Sequence, residues 1–518
     1  MPARSRAADA LRRLDLLLQR AVPITGVAFV LLYAATAPLR IAYPYEIEWL
    51  EGIALSSTAR ILDGAPFYAA PTPDYVAAMY TPLYYYLCAG IAAVVGVGLP
   101  AARALSLLAT LACFALVFAI VRHTTNSRAD GCTAAGLLAA SFAIGGGWFD
   151  LARVDMLFLA LLLGALHALQ RDSLRAGGVA GTLLALATLT KQTGLPMGLP
   201  LVVWALWARP RQGILCGAVF ATLVGVVSLA WNEASGGWYR RFVFDLPSQS
   251  YEIVDARVLT YWTQDLARNV PLLLVASGLL LWNEAAAGIR SLRRGERARR
   301  LRQWVRRPGV LLGVAVVGTV ISSFPARIHW GGSENVLIPA FALLAIGGVV
   351  ALGHMRLALA RRIGSPWAGR VVSALLIAQF GLLVYDPRAW IPTTASRRAG
   401  ERLEQRVAEL DGEVDLPFHP SIALRAGKRL HAHGGMALWL METQDEPLKA
   451  VFKKAIYRGY REQRFAGVVC EHRWASTWIP FRRHYVLVGR VFEDPDVFWT
   501  LTGLIRRPDG LFVPRNGP

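Results

Sequence analysis

The sequence predicts an all-α polytopic membrane protein with a small extracytoplasmic α+β domain at its C-terminal end. Apolar runs of roughly 17–25 residues, long enough to cross ~30 Å of hydrocarbon, recur from Ala21 to Tyr385. Only 17% of the 518 residues are charged, against about 25% in soluble chains. The basic residues behind the net charge of +20 gather in short gaps between the apolar runs, as cytoplasmic loops require.

Taken in order, residues 1–20 form a basic N-terminus with Arg4, Arg6, Arg12, Arg13 and Arg20. The apolar run that follows ends in Ala34-Ala35-Thr36-Ala37, the pattern of a signal peptide. Because many more spans follow, an uncleaved signal anchor is expected. Residues 21–388 make up the membrane domain, with a long external loop at 43–80. Basic gaps at Arg122–Arg128, Arg171–Arg175, Arg209–Arg211, Arg290–Arg307 and Arg356–Arg370 are assigned to the cytoplasm. The outer turns then fall at Gly145–Asp155, Lys191–Gly194, Asn232–Asn269 and Pro325–Asn335. Parity allows one crossing between the first external loop and Arg122, yet two apolar stretches, Pro82–Leu99 and Ala101–Val121, lie there. One of them is therefore embedded without spanning, or bends at Gly96–Pro100. The expected total is about eleven crossings. Residues 389–518 change character: an amphipathic stretch at Arg397–Glu413 and strand-like alternation at His484–Val491 indicate a soluble domain outside the membrane.

Several functions are excluded early. The positive charge lacks the interleaved aromatics of a nucleic-acid binder, so no nucleic-acid partner is expected. Even the densest basic stretch, Ser291–Arg307, reads first as a topology determinant and only second as an anionic-lipid contact. Five cysteines show no paired spacing and read as small core residues. His431-x-His433 has no third ligand in clear spacing and reads as a surface loop. No metal ligands are assigned and no obligatory cofactor is named, although a divalent cation stays open. No internal repeat of the kind common in secondary transporters is found.

The chemistry is expected at the outer turns. Glu46, Glu48 and Glu51 lie within six residues of one another at the bilayer edge, where ionisable groups are costly and mark function. The plain alternative is a solvated helix start, favoured by the helix dipole. Tyr80 and Tyr84 begin the next helix, either as an interfacial aromatic belt or as a sugar-binding wall. Arg153 and Asp155 either pair with each other or face a ligand. Lys191 and Gln192 occupy a one-turn connection, where the lysine either snorkels or binds a phosphate. Arg327, His329, Glu334 and Asn335 put a cation, an imidazole, a carboxylate and an amide into one turn. One such turn is weak evidence; four on one face make a site. Transfer from a lipid-phosphate sugar needs this inventory, a carboxylate to deprotonate the acceptor and cations to hold the leaving phosphate.

At these residues the chain resembles the GT-C superfamily of polytopic glycosyltransferases that use polyprenyl-phosphate sugars. It looks closest to bacterial relatives of the protein O-mannosyltransferases and the lipid A aminoarabinose transferases. The matching features are Glu48-Trp49-Leu50-Glu51-Gly52, Ile61–Tyr68, Tyr80-Thr81-Pro82-Leu83-Tyr84, Arg153-x-Asp155 and Gly331-Gly332-x-x-Asn335, spread over about Leu31 to Gly348. The resemblance implies an inverting glycosyltransferase of the bacterial inner membrane. Its partners would be a lipid-linked sugar donor, membrane lipids and an extracytoplasmic acceptor. It places the catalytic base on Glu51 or Glu48, and the donor phosphate on basic residues of the outer loops: Lys191, Arg153, and His329 or Arg327. The family's Asp-Glu pair is replaced here by Leu50-Glu51, so both glutamates stay open. Gly52 after Glu51 leaves room for an acceptor, which favours Glu51, with Glu48 in support. The rival reading is a transporter or flippase of lipid-linked saccharides, which would concentrate polar groups at mid-membrane in broken helices. A structural subunit that recruits a partner through its tail is the third.

Overall fold

The computed structural model describes residues 2–249, 252–293, 297–471 and 480–515. The first long helix, α1 (Pro2–Ile41), leads into the external loop, which carries α2 (Glu51–Leu62). Then follow α3 (Leu83–Val95), α4 (Leu99–Thr125), α5 (Arg128–Ala140), α6 (Asp155–Leu169), α7 (Leu174–Thr190), α8 (Gly194–Ala208) and α9 (Pro210–Ala234). Three short helices, α10 (Trp238–Arg240), α11 (Leu246–Gln249) and α12 (Asp255–Thr260), cross the next outer segment with two π-helical turns. The membrane part ends with α13 (Pro271–Arg293), α14 (Arg297–Val305), α15 (Pro308–Ile328), α16 (Ile338–Ile363) and α17 (Ser365–Leu382).

Helix association in lipid depends on close packing rather than on hydrophobic exclusion, so small residues mark the contacts. On α7, Gly177 and Gly181 lie four apart, and a Cβ at either would collide with the backbone carbonyls of Gln212 or Cys216 on α9. The first fifteen residues of α16, Ile338–Leu352, are all buried among its neighbours.

Each predicted basic gap and outer turn contains a break between helices, although Arg290–Arg307 holds α14, Asn232–Asn269 holds α10 to α12, and Arg356–Arg370 is helical on both sides of Gly364. Among the described residues six helices are long and apolar enough to cross a membrane, or seven if the bent pair Trp367–Leu382 and Pro387–Ala408 is one span. The apolar helices α3, α6, α7 and α8 are shorter. A count of eleven therefore requires α5 to α8 to serve as spans as well. Of the two apolar stretches before Arg122, the first forms α3, whose 13 residues, like the 13 of α5, reach ~20 Å at 1.5 Å per residue. Gly96, at φ +90, separates it from α4. Reporter fusions test the orientation: signals at Arg13 and Arg300 are expected on the cytoplasmic side and at Asp509 outside. A cytoplasmic signal at Asp509 would break the alternation of basic gaps and outer turns.

The tail builds the expected α+β unit from α18 (Thr394–Ala408), β1 (Val414–Asp415), α19 (Pro420–Arg425), α20 (Gly434–Glu442), α21 (Glu446–Arg461), β2 (Gly467–Cys470), β3 (Tyr485–Arg490) and β4 (Gly510–Pro514). The strands form one sheet in the order β1-β2-β4-β3, parallel between β1 and β2 and antiparallel elsewhere. Tyr460 of α21 stacks with Phe481, whose ring meets Phe512 of β4 edge-on. The sheet is thereby fixed to its helix by aromatic packing.

This unit rests on the first external loop. Leu501 N–H donates to the Ile47 carbonyl at 2.8 Å, and Ser421 donates from N–H and hydroxyl to Glu46 at 2.9 and 2.6 Å. The surface-loop reading of the histidines is overturned here, since His419, His431 and His433 are buried at this junction. His433 accepts from Gly435 N–H and hydrogen-bonds the Trp49 carbonyl at 3.0 Å. Burial pushes its imidazole down to about 3, so it stays neutral.

Candidate active site

The polar turns meet at one end of the bundle, where α1 ends, α4 begins, and the α5–α6, α7–α8 and α15–α16 connections lie. Two buried arginines that the sequence reading left unassigned fasten this end. Arg40, at the end of α1, grips Asp150 with Nε at 2.8 and 2.9 Å and donates to the carbonyls of Gly147 and Trp390. Arg103, near the start of α4, grips Glu51 with Nε at 2.7 Å and Nη2 at 2.6 Å, and donates to the carbonyls of Arg40, Tyr43 and Tyr45. A planar guanidinium suits such two-point pairing and several carbonyls at once. Ionisable side chains inside apolar runs were the available sequence signal, and Arg103 within Leu99–Thr125 is one. Its partner lies 52 residues away, which no local pattern shows.

The two candidate bases therefore sit in opposite environments. Glu51 is saturated: besides Arg103 it accepts backbone N–H groups from Ile47, Glu48 and Ala152 at 2.7, 3.2 and 2.8 Å. Those interactions outweigh its burial and hold its carboxyl below the usual range. Glu48 has one weak anchor, the Leu50 N–H on Oε2 at 3.1 Å, and Oε1 has no hydrogen-bond partner. Burial is the largest influence on its carboxyl, opposed by Arg153 and reinforced by Glu51, and pushes it up to about 8. The Gly52 argument for Glu51 also changes. Space beside Gly52 is filled by Pro420 and His433, which a Cβ would strike, so that glycine serves domain docking.

Around Glu48 the other predicted residues form two connected groups. Arg153 places Nε 4.0 Å from Glu48 Oε2, lies over the rings of Tyr80 and Trp148, and donates from Nη2 to the Tyr80 hydroxyl at 3.4 Å. Its Nε has no hydrogen-bond partner. Beside it, Asp155 Oδ1 receives Lys191 Nζ at 2.6 Å and Asn335 Nδ2 at 2.9 Å, while Oδ2 is unpartnered. Arg153 and Asp155 thus do not pair with each other; each faces a different partner. Trp148 and Thr502, missing from the sequence reading, close the rim through a hydrogen bond of 3.1 Å. Gly503, at φ +70, lays that loop directly on Glu48, and a Cβ there would come within 2.8 Å of Oε1.

The remaining candidates shape the walls. Gln192 donates to the Met79 and Val243 carbonyls at 2.7 and 3.0 Å. Tyr84 is fully buried and directs its hydroxyl to Ala102 and Ser106, so it belongs to the core. Arg327 binds Asp265, Glu334 and the Gly332 carbonyl at 2.8, 3.0 and 2.8 Å, which makes it the clamp of its own turn. His329 accepts from Gly331 N–H, and burial with nearby Arg257 and Lys191 pushes it down to about 4. A neutral imidazole supplies no cation for a phosphate.

Among the described residues no group of three or more His, Cys, Asp or Glu side chains converges. Glu48 and Asp155 each offer one unpartnered oxygen but stand against Arg153 and Lys191, whose charges compete with a metal.

Comparison with known proteins agrees with this architecture. Residues 79–233 match the family model described as dolichyl-phosphate-mannose-protein mannosyltransferase. The segment contains Tyr80, Tyr84, Arg153, Asp155, Lys191 and Gln192. The structure is similar to ArnT from Cupriavidus metallidurans bound to undecaprenyl phosphate, at 13% identity and TM-score 0.54, covering 95% of this chain and 97% of that one. The apo form of the same protein aligns at 13% identity and TM-score 0.55, covering 94% and 97%. No curated protein sequence matches the chain significantly. At such identity the likeness concerns the fold, and the GT-C resemblance read from the outer-loop motifs holds at that level.

Proposed function

We propose that this multi-pass membrane protein is an inverting glycosyltransferase that moves a sugar from a polyprenyl-phosphate donor to an extracytoplasmic acceptor. The C. metallidurans protein of the same fold binds undecaprenyl phosphate, which favours a lipid phosphate as donor. The observation that carries the reading is Glu48. It is a buried carboxylate with one unpartnered oxygen, raised towards physiological pH, and faced by an arginine with an unpartnered Nε. In this scheme Glu48 takes the proton of an acceptor hydroxyl or amine as that atom attacks the anomeric carbon. The bond from that carbon to the phosphate oxygen breaks, and the polyprenyl phosphate leaves with the electron pair. Arg153, and Lys191 with the donors that Asp155 does not use, neutralise the departing charge. Access to Oε1 runs past Gly503, so the Thr502–Gly503 turn must shift for the acceptor to enter. The base is thus Glu48, and Glu51 holds the loop that carries it. Arg327 and His329 shape the turn rather than bind phosphate.

The polar groups favour this reading over a transporter, since they lie in turns at one end of the helices and not in broken helices at mid-membrane. Location in a bacterial inner membrane, with residues 389–518 outside, belongs to the same proposal. Transfer from radiolabelled polyprenyl-phosphate sugars to envelope acceptors tests it directly; transport of a lipid-linked saccharide without transfer would overturn it. Arg153→Gln should raise the KM for the donor and lower kcat, because the lost charge faces both the bound and the leaving phosphate. Losing one charge-assisted contact of ~1.5–3 kcal/mol corresponds to roughly 10–150-fold in kcat/KM. An unchanged kcat/KM would remove Arg153 from the phosphate site.

A further inference from the structure

Residues 498–506 of the tail form a short hairpin laid over Glu48. Its base closes on itself: Thr500 N–H donates to the Arg506 carbonyl at 3.0 Å, and Arg506 N–H to the Thr500 hydroxyl at 2.8 Å. Phe498 starts the turn at φ +66, a backbone that a bulky residue keeps when its surroundings impose it. Here the ring is buried against Tyr45 and Phe492, and its N–H donates to the Ser396 hydroxyl at 3.1 Å. The base is therefore fixed.

The tip is held more lightly. Leu501 N–H donates to the Ile47 carbonyl at 2.8 Å. The Thr502 hydroxyl donates to the Gly146 carbonyl at 2.6 Å and accepts from Trp148 Nε1 at 3.1 Å. Gly503 then covers Glu48, since a Cβ there would stand 2.8 Å from Oε1 and 3.1 Å from Cγ. Beyond it, Leu504 and Ile505 are exposed, so no packed core resists lifting of the tip. One side chain, Thr502, thus makes two of these three hydrogen bonds over the base.

On the glycosyltransferase reading, on which this inference rests, a carboxylate that deprotonates an acceptor hydroxyl also deprotonates water. The water oxygen would attack the anomeric carbon as Glu48 takes its proton. The bond to the phosphate oxygen would break, its electron pair leaving with the polyprenyl phosphate, and the sugar would be lost to solvent. Preventing such side reactions is one task of a closed site. We infer that Thr502 determines which nucleophile Glu48 activates, by holding Gly503 closed against water until an acceptor displaces the tip. It is a positioning residue, acting through Gly503 without touching substrate.

The test uses the full chain in vesicles with radiolabelled undecaprenyl-phosphate mannose, glucose, galactose and arabinose. Sugar released to water is counted against sugar transferred to an envelope extract. The wild type should transfer and release little. Thr502→Val keeps the branched shape and loses both hydrogen bonds, so its release-to-transfer ratio should rise roughly 5–100-fold. Trp148→Phe removes one of the two and should give a smaller rise. Thr502→Ser keeps the hydroxyl and should restore the wild-type ratio. Adding Glu48→Gln to Thr502→Val should suppress release and transfer together, because one base serves both nucleophiles. Valine and phenylalanine variants that transfer at the wild-type ratio overturn the role of Thr502 and leave the transferase reading standing. A serine ratio as high as that of valine also overturns it, since the hydroxyl would then be irrelevant. A wild type that turns over none of these donors overturns the transferase reading itself.

Discussion

Glu48→Gln is expected to lower turnover by ~10²–10⁴-fold, the usual contribution of a general base. Glutamine keeps the volume beneath Gly503 and the contact with Leu50, so donor binding should persist. The pH dependence makes the result specific. Burial pushes the Glu48 carboxyl up to about 8, so at neutral pH most molecules carry it protonated and unable to accept a proton. The wild-type kcat/KM should therefore climb with pH to a midpoint near 8, and the residual activity of the glutamine variant should lack that step. Stability supplies a control of opposite sign. The folded carboxyl binds its proton more tightly than the unfolded one, so the wild type loses stability as pH rises from the unfolded carboxylate range towards 8. Glutamine does not titrate, so the variant's melting temperature should gain on the wild type between pH 5 and 9. A variant that is inactive and also falls behind at pH 9 would have lost structure rather than a base.

The parts legible in the sequence were those set by local composition. Apolar run length and basic gaps located the helices and turns, because each residue there responds to the nearest solvent. The same logic grouped Arg153, Asp155, Lys191 and Asn335 at one end, and Asp155 does bridge Lys191 and Asn335. Choosing between Glu48 and Glu51 needed information that is not local. The choice turns on which carboxylate meets Arg103, 52 positions beyond Glu51. It also turns on a loop more than 450 residues downstream of Glu48, whose Thr502 and Gly503 seal the site. The place of Trp49 is non-local for the same reason. A tryptophan beside a membrane ordinarily prefers headgroup level, but this ring is buried against Phe418 with Arg506 over its face, so a domain contact fixes it.

Glu51→Gln should fail by a different route. Both Arg103 and Glu51 are fully buried, and removing one partner of such a pair leaves a charge without compensation, at a cost of ~3–5 kcal/mol. Arg103 also holds the carbonyls of Arg40, Tyr43 and Tyr45, so the strain passes into the loop that carries Glu48. The expected result is lower yield, a melting temperature reduced by several degrees, and turnover that falls in proportion to the folded fraction. Its pH profile should keep the step that Glu48 produces, but at a lower midpoint than the wild type's, since the Glu51 charge that helps to raise that carboxyl is gone. Combining it with Arg103→Met should recover part of the stability, because the unpaired charge is gone, but not all, because three carbonyls lose their donor. The outcome opposed to this is a Glu51→Gln protein that melts with the wild type, binds donor and does not turn over. That result would return the base to Glu51 and leave Glu48 as its buried neighbour.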